Sequence, residues 1–298
     1  MGNNSSFFSG GSNDKKLILR IMTYNVEWGF IDLPTNIHKD ANNNDIPFTK
    51  KAQYQHLTLC AKTIGTILPD ICFLQEIGSL QALNFLSDAI DVQVGIRYKI
   101  YYSNGGKKGD QGVGLLIKED MYGIEYNIAK IPGFEKGLGL SFLYHDKQYK
   151  IVGVHLKSLF GKVSESNIVK IQIKQLECIH AWVVSGIKAD RAIICGDFNN
   201  TRESDSVKLM MDYKYIDIID TDKYIENISS TKATGTYTKN NKKHSDRIDY
   251  VFATSLLMIK SVFIVPLERH TKKTSDNNKK GIRVSNSDHL PVVAIVAL

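Results

Sequence analysis

Six short segments of this chain place acidic, amide or imidazole side chains beside hydrophobic runs. They are Thr23-Tyr24-Asn25-Val26-Glu27, Leu74-Gln75-Glu76, Gly153-Val154-His155-Leu156-Lys157-Ser158, Gly196-Asp197-Phe198-Asn199, Arg247-Ile248-Asp249-Tyr250 and Ser287-Asp288-His289. None is specific alone. Together they have the makings of a metal-assisted phosphate site, because polar groups at strand ends can converge on one crevice. A hard cation such as Mg²⁺ takes oxygen ligands, keeps several waters and commonly uses one or two protein carboxylates. Glu76 follows Ile71-Cys72-Phe73-Leu74 and is expected just past a buried strand, on the sheet rim. With Asp288 and Asn25 it would suffice for Mg²⁺, with Mn²⁺ as the alternative ion. A lone glutamate at a strand end is ordinarily no more than an exposed surface group.

Asp197 and Asn199 follow Ile193-Ile194-Cys195-Gly196. Read as strand, their spacing points both side chains the same way, and Gly196 permits tight backbone approach. The aspartate could then orient and deprotonate water while the asparagine amide donates to an oxyanion. Read as punctuation, Asp and Asn simply make a turn. Asp249 could orient His289 and favour its protonated form, as a carboxylate beside an imidazole does. His155 is a second strand-end imidazole. A lone histidine is more often structural than catalytic, but two beside such neighbours tilt the reading towards function.

These residues need strands to carry them. Residues 17–24 are a short apolar run, expected as a buried strand. Residues 54–68 place Leu57, Cys60, Ala61, Ile64 and Leu68 at three- and four-residue spacing, an amphipathic helix that Pro69-Asp70 ends. Strands are expected at 71–74, 98–102 and 112–117, and a helix at 80–89. Residues 141–144 and 149–154 read as a hairpin turning at His145-Asp146-Lys147. The strongest helical spacing covers 168–184. A strand at 192–195 and a short helix at 207–211 follow, then strands at 247–252, 259–265 and 291–296. Residues 31–50 read as a long polar loop. Helices and strands interleave, while the hairpins argue against a purely parallel sheet, so a mixed α/β sandwich is expected.

At 298 residues the chain can hold one large core or two modest domains. The six segments span nearly all of it without a linker, so one domain over 17–298 is expected. A Gly-, Asn- and Ser-rich tail at 1–16 is expected to be disordered. Hydrophobic content of 43% and charged content of 23% are those of an ordinary soluble globular protein. The net charge of +7 suits a polyanion, either nucleic acid or an anionic membrane face, or else a lysine-rich solvated surface. Cys60, Cys72, Cys178 and Cys195 match neither a zinc pattern nor a dense disulfide framework. They read as buried free thiols in a reducing, intracellular setting, cytoplasmic or nuclear. No stretch is long and apolar enough to cross a bilayer, and no signal-peptide run opens the chain. Met-Gly-Asn-Asn-Ser-Ser fits N-myristoylation at Gly2, although a plain polar tail is the simpler reading. One acyl chain would give only reversible, peripheral membrane contact. A monomer is expected.

With the six segments in view, the chain resembles the endonuclease/exonuclease/phosphatase superfamily over about residues 17–298. That group includes DNase I-like nucleases, abasic-site endonucleases, neutral sphingomyelinases and inositol-polyphosphate phosphatases. The resemblance implies a four-layer α/β sandwich, two packed mixed β-sheets flanked by helices, and Mg²⁺-dependent phosphoester hydrolysis. It implies that Asn25 and Glu76 take the first metal-site positions. Asp197 and Asn199 match Gly-Asp-x-Asn, which places the attacking water. Asp288 and His289 match Ser-Asp-His, and Asp249 matches the aspartate that orients that histidine. His155 matches a phosphate-contacting histidine, and Asp110 would be its acidic partner. Lys157 would add a positive substrate contact, or stand as a solvated lysine. Abasic-site endonucleases usually carry tyrosine at the His155 position, and the tyrosyl-DNA phosphodiesterase branch resembles Gly-Asp-Thr-Asn where this chain has Phe198.

Two basic stretches precede the last motifs. One holds Lys239, Lys242, Lys243, His244 and Arg247; the other holds Arg269, His270, Lys272, Lys273, Lys279, Lys280 and Arg283. As loops flanking the crevice they would track a nucleic-acid backbone, or they are simply solvated. No aromatic ladder for base stacking stands out. Gly105-Gly106-Lys107-Lys108-Gly109 lacks the ending of a nucleotide-binding loop and reads as a hairpin loop. A nuclease cutting DNA or RNA is the leading expectation. A lipid or inositol-phosphate phosphoesterase, and a catalytically silent binding protein on the same scaffold, are the alternatives.

Overall fold

Alternate side chains of a strand point to opposite faces, so an unbroken apolar run needs cover on both sides. The computed structural model describes residues 17–32, 38–39, 45–46, 49–105, 111–159, 163–186, 191–221, 233–239, 242–267 and 287–298. In it, the apolar runs form two mixed six-stranded sheets. The first has the order β15 (Met258–Ile264), β16 (Val292–Ala297), β1 (Ile18–Gly29), β4 (Ile71–Ile77), β6 (Gly112–Lys118), β5 (Tyr98–Ser103). The second runs β11 (Ile216–Asp217), β14 (Asp249–Ala253), β10 (Arg191–Asp197), β9 (Lys147–His155), β8 (Phe134–Tyr144), β7 (Tyr126–Ile131). Two small hairpins complete the strands: β2 (His38–Lys39) with β3 (Asp45–Ile46), and β12 (Gly235–Lys239) with β13 (Lys242–Asp246).

The two-residue period sorts the core into layers. Along β1, Leu19 and Ile21 join one apolar cluster while Met22, Tyr24 and Val26 join another. β4 splits into Ile71 and Phe73 against Cys72 and Leu74. β10 splits into Ile193 and Cys195 against Ala192 and Ile194. The shared cluster lies between the sheets. The outer clusters join the first sheet to α1 (Lys50–Ile67) and α2 (Leu80–Val94), and the second to α3 (Glu165–Val184) and α4 (Asp205–Asp212). Helix, sheet, sheet and helix make the four-layer α/β sandwich expected. Thr49, Ser79 and Ser204 start α1, α2 and α4 by accepting backbone hydrogen bonds from Ala52, Ala82 and Val207.

The differences from expectation are local. β7 was not foreseen: Asn127 and Lys130 interrupt its apolar pattern because it is a half-exposed edge strand. The 31–50 stretch includes the β2–β3 pair, and part of the first basic stretch forms β12–β13 rather than a loop. The β8–β9 hairpin turns at His145 and Asp146, whose φ values of 48° and 56° are those of a tight left-handed turn. Cys60, Cys72 and Cys195 are buried and Cys178 is half-buried; all four are free thiols. No helix among the described residues is long and apolar enough to cross a membrane. Residues 1–16, with Gly2, lie outside the described residues.

Candidate active site

The second sheet sets three polar residues shoulder to shoulder. Asp197 on β10 stands in register with His155 on β9 and with Asp249 on β14. Each continues the row that faces the other sheet, one pleat beyond the core residues Cys195 and Val251. The site is therefore the open end of the inter-sheet layer. Gly196 is required there: its φ is 147°, and a Cβ would lie 2.0 Å from the Val154 carbonyl oxygen. Beyond Asp197 the strand stops. Asn199 has φ 51°, its backbone N–H donates to Asp197 Oδ1 at 2.7 Å, and its Nδ2 donates to Asp197 Oδ2 and to the Leu156 carbonyl. Strand alternation is thus corrected: an Asx turn, stabilised by the short aspartate side chain, brings the two side chains together.

The first sheet contributes by breaking its register. β4 is bulged between Gln75 and Ile77 against β6, with Glu76 at φ 63°. The bulge returns Ile77 to the helix-facing cluster and turns Glu76 into the end of the inter-sheet space. Glu76 is therefore inside the strand rather than past its end. β1 carries a matching irregularity between Asn25 and Gly29, with Glu27 and Trp28 at φ 46° and 58°. Three donors hold the Glu76 carboxylate: Asn25 Nδ2 at 3.2 Å, Trp28 N–H at 3.1 Å and Gln111 Nε2 at 2.7 Å.

Asn25 joins the two halves. Its Nδ2 also donates to Asp197 Oδ2 at 2.9 Å, and its Oδ1 accepts the Glu27 N–H at 2.9 Å, which settles the orientation of the amide. Ser287 donates to the Asn25 carbonyl and accepts from the His289 N–H, anchoring the third segment to β1. Glu27 accepts the Asp288 N–H at 3.0 Å. His289 Nδ1 donates to Asp249 Oδ2 at 2.8 Å, leaving Nε2 facing Asp197 at 3.9 Å. Beneath the second half, buried Gln172 uses all four of its hydrogen-bonding positions. Its Nε2 donates to the carbonyls of Lys157 and Phe198, and its Oε1 accepts from Asn200 and Ser206.

The two imidazoles are driven apart. Burial, with the nearby charges of Lys136, His289 and Lys157, holds His155 well below the usual imidazole range. Its Nδ1 is buried without a hydrogen-bond partner among the described residues. Burial would lower His289 as well, but the Asp249 and Asp197 carboxylates overcome it and lift His289 well above that range. Burial, reinforced by the Asp249 charge and opposed by His289, raises Asp197 to about 7. The two imidazoles are thus shifted in opposite directions, the arrangement that divides roles between titratable groups.

Two cavities meet here. A pocket of about 240 Å³ is lined by Glu27, Glu76, Asp197, Asp288 and His289 among others. A groove of about 1000 Å³ opens beside it, bordered by Lys130, Lys136 and Lys157. Two groups, Glu76–His155–Asp197 and Asp197–Asp249–His289, each bring ligand atoms within 4.8 Å of one another and could hold a metal ion. The oxygen-rich lining suits a hard divalent cation. Asn25 turns its Nδ2 to Glu76 and Asp197 while its Oδ1 accepts the Glu27 N–H; the carboxylates of Glu27, Glu76, Asp197 and Asp288 are among the oxygen donors that line the pocket.

The structure thus gathers Glu76, His155, Asp197, Asn199, Asp288 and His289 at one crevice, with Asn25 and Asp249 hydrogen-bonded behind them and Lys157 exposed on the groove. Asp110 lies outside the described residues, as do residues 106–109 and 268–286 with their basic side chains. Arg247 does not face a substrate: it pairs with Asp217, with one nitrogen at 2.6 Å, and lies over the Tyr250 ring, so its guanidinium braces β11 against β14. Glu27, Trp28, Gln111 and Gln172 were missed. Glu27 stood two residues from Asn25, and Gln172 interrupted the otherwise apolar buried row Ile168, Leu176, Ile179 and Val183 of α3.

The Endonuclease/Exonuclease/phosphatase family matches residues 22–276. The chain belongs to that family. No curated protein matches it. Its fold is similar to an endonuclease/exonuclease/phosphatase from Bacteroides vulgatus, 19% identical with TM-score 0.64, covering 95% of this chain and 100% of that one. A family protein from Leptotrichia buccalis is 14% identical with TM-score 0.60, over 94% of this chain and 100% of that one. TDP2 from C. elegans is 16% identical with TM-score 0.57, over 94% of this chain and 75% of that one. Family and fold together point to a metal-dependent phosphoesterase.

Proposed function

We propose that this family member is a Mg²⁺-dependent nuclease that hydrolyses DNA or RNA phosphodiesters. The observation that carries the reading is the split of charge across one wall: an acidic pocket of about 240 Å³ beside a lysine-bordered groove of about 1000 Å³. A polyanion fits both, with one phosphate at the acidic pocket and its neighbours beside the lysines. The chain's net charge of +7 favours the same partner. A cation held by Glu76 and its neighbouring carboxylates would neutralise charge developing on the phosphate.

The protein's own groups do the rest. Asp197, once ionised, aligns a water and accepts its proton, and the Asn199 backbone N–H fixes the carboxylate. His289, kept protonated by Asp249, presents Nε2–H to a phosphate oxygen. Neutral His155 contributes a hydrogen bond without adding positive charge. The Gly2 acylation pattern supports a second reading, a lipid or inositol-phosphate phosphoesterase in reversible membrane contact. A metal-dependence screen over plasmid DNA, structured RNA, sphingomyelin and inositol phosphates separates the two. The nuclease reading expects cleavage of a polynucleotide that needs Mg²⁺ or Mn²⁺ and is lost in Asp197→Ala and His289→Ala. Hydrolysis of sphingomyelin or inositol phosphates alone would replace it, and turnover of none of the four would leave a silent binding protein.

A further inference from the structure

We infer that Trp28 is a stacking platform for an unpaired nucleobase next to the reacting phosphate, so that the groove takes a single polynucleotide strand. This rests on the nuclease reading and adds to it a residue that reads the substrate. Trp28 lines both the acidic pocket and the lysine-bordered groove. It is partly exposed, and it stands one residue from Glu27, whose carboxylate belongs to the pocket. Its backbone is in the left-handed region at φ 58°, as is that of Glu27 at 46°. Two successive non-glycine residues in that region are costly, and such strain persists where the surroundings over-determine it, often at functional sites.

What holds Trp28 there is the site itself. Its backbone N–H donates to Glu76 Oε2 at 3.1 Å, and its ring tilts against Phe30 with centroids 5.9 Å apart. The Trp28 backbone is thereby tied to the carboxylate expected to meet the cation, and its side chain lies at the boundary between the two cavities. A base attached to the reacting phosphate's sugar would meet that wall. Stacking on an aromatic face tolerates any base, and it requires the base to be unpaired. Lys136 and Lys157, whose charges are felt at His155, then lie where the next phosphates run.

The tryptophan fluorescence of the intact protein tests this without turnover. The chain has two tryptophans, and the other, Trp182, packs on Lys150 and over Gly139. In EDTA, a thymidine oligonucleotide should quench the wild-type emission, while Trp28→Phe should keep the Trp182 emission without that quench. In turnover, Trp28→Ala should raise KM roughly 5- to 150-fold, the loss of one base–aromatic stack, with kcat less affected. An abasic sugar beside the cleaved bond should weaken wild-type binding by a similar factor and add nothing in Trp28→Ala. Cleavage of oligonucleotides with unchanged KM in Trp28→Ala, or losses that simply multiply, would overturn the inference and leave the nuclease reading standing. If no polynucleotide is cleaved, the nuclease reading fails on its own, and the quench experiment still decides: quenching by phosphocholine rather than by oligonucleotide would overturn the base platform.

Discussion

His155, Asp197 and Asp249 stand directly opposite one another on β9, β10 and β14 without a break in register, whereas Glu27 and Glu76 reach the same crevice across irregularities in β1 and β4. The second sheet needs only regular geometry: extend three neighbouring strands one pleat beyond the core, and their side chains meet. The first sheet needs left-handed backbone at Glu27, Trp28 and Glu76, and it recovers the cost through hydrogen bonds from Asn25, Trp28 and Gln111 to a single carboxylate. Regular placement gives the half to which the proposed mechanism assigns proton transfer; irregular placement gives the half that carries Glu27, Trp28 and Glu76. The two are coupled through Asn25, whose amide reaches both Glu76 and Asp197.

The comparison can be broken first at Gly196. Its alanine variant forces a Cβ to within 2.0 Å of the Val154 carbonyl oxygen, so β9 and β10 must separate. Thermal unfolding should show a loss of more than about 3 kcal/mol, and turnover should vanish because Asp197 and His155 part company. Asp249→Asn leaves the backbone alone. It removes the carboxylate that charges His289, so kcat should fall about 10²- to 10⁴-fold. The alkaline limb of the pH–rate profile should move to lower pH, because His289 then loses its proton earlier. Gln172→Ala strands the Lys157 and Phe198 carbonyls and two side-chain donors. It should lower stability by about 2–5 kcal/mol in chemical denaturation and disturb the second half more than the first.

The smallest effect is a pH dependence of the metal-free protein. His289 is raised in the fold, so its contribution to stability is complete below about pH 6.5 and is lost as pH rises through the folded value. Asp197, raised to about 7, acts in the same direction between about pH 4 and 7. His155, lowered in the fold, opposes them only below about pH 6.5. Melting temperature without divalent cation should therefore decline from pH 6.5 upward, on the order of 1–2 kcal/mol in stability, and His289→Gln should flatten the decline.

What could be read from residues follows the same division. The regular half was legible: apolar runs ending in His155 and Asp197 mark strand ends, the run after Asp249 marks a strand start, and period-two burial then aligns them. Cover on both faces of the sheets was legible too, since runs such as 71–74 and 192–195 demand it, while the four-layer order came from the family resemblance. The irregular half was not. A bulge leaves no period of its own, so Glu76 was placed beyond its strand, and Trp28 passed unnoticed because its role depends on a φ of 58° that no residue type announces. Asn199 was left between strand and turn because spacing alone cannot separate alternation from an Asx turn. Arg247 was counted with a basic loop because its partner Asp217 lies 30 residues away in sequence.

The central claim is that the two sheets complete one hydrolytic centre. It is tested most directly by a double-mutant cycle taking one residue from each half, Glu76→Gln and Asp197→Asn, with kcat/KM for Mg²⁺-dependent polynucleotide cleavage as the readout. Each single change should cost at least about 10²-fold, and the double variant should be within about tenfold of the worse single one, as expected for groups that act as a unit. Losses that multiply, or a single variant with wild-type kcat/KM, would contradict the account.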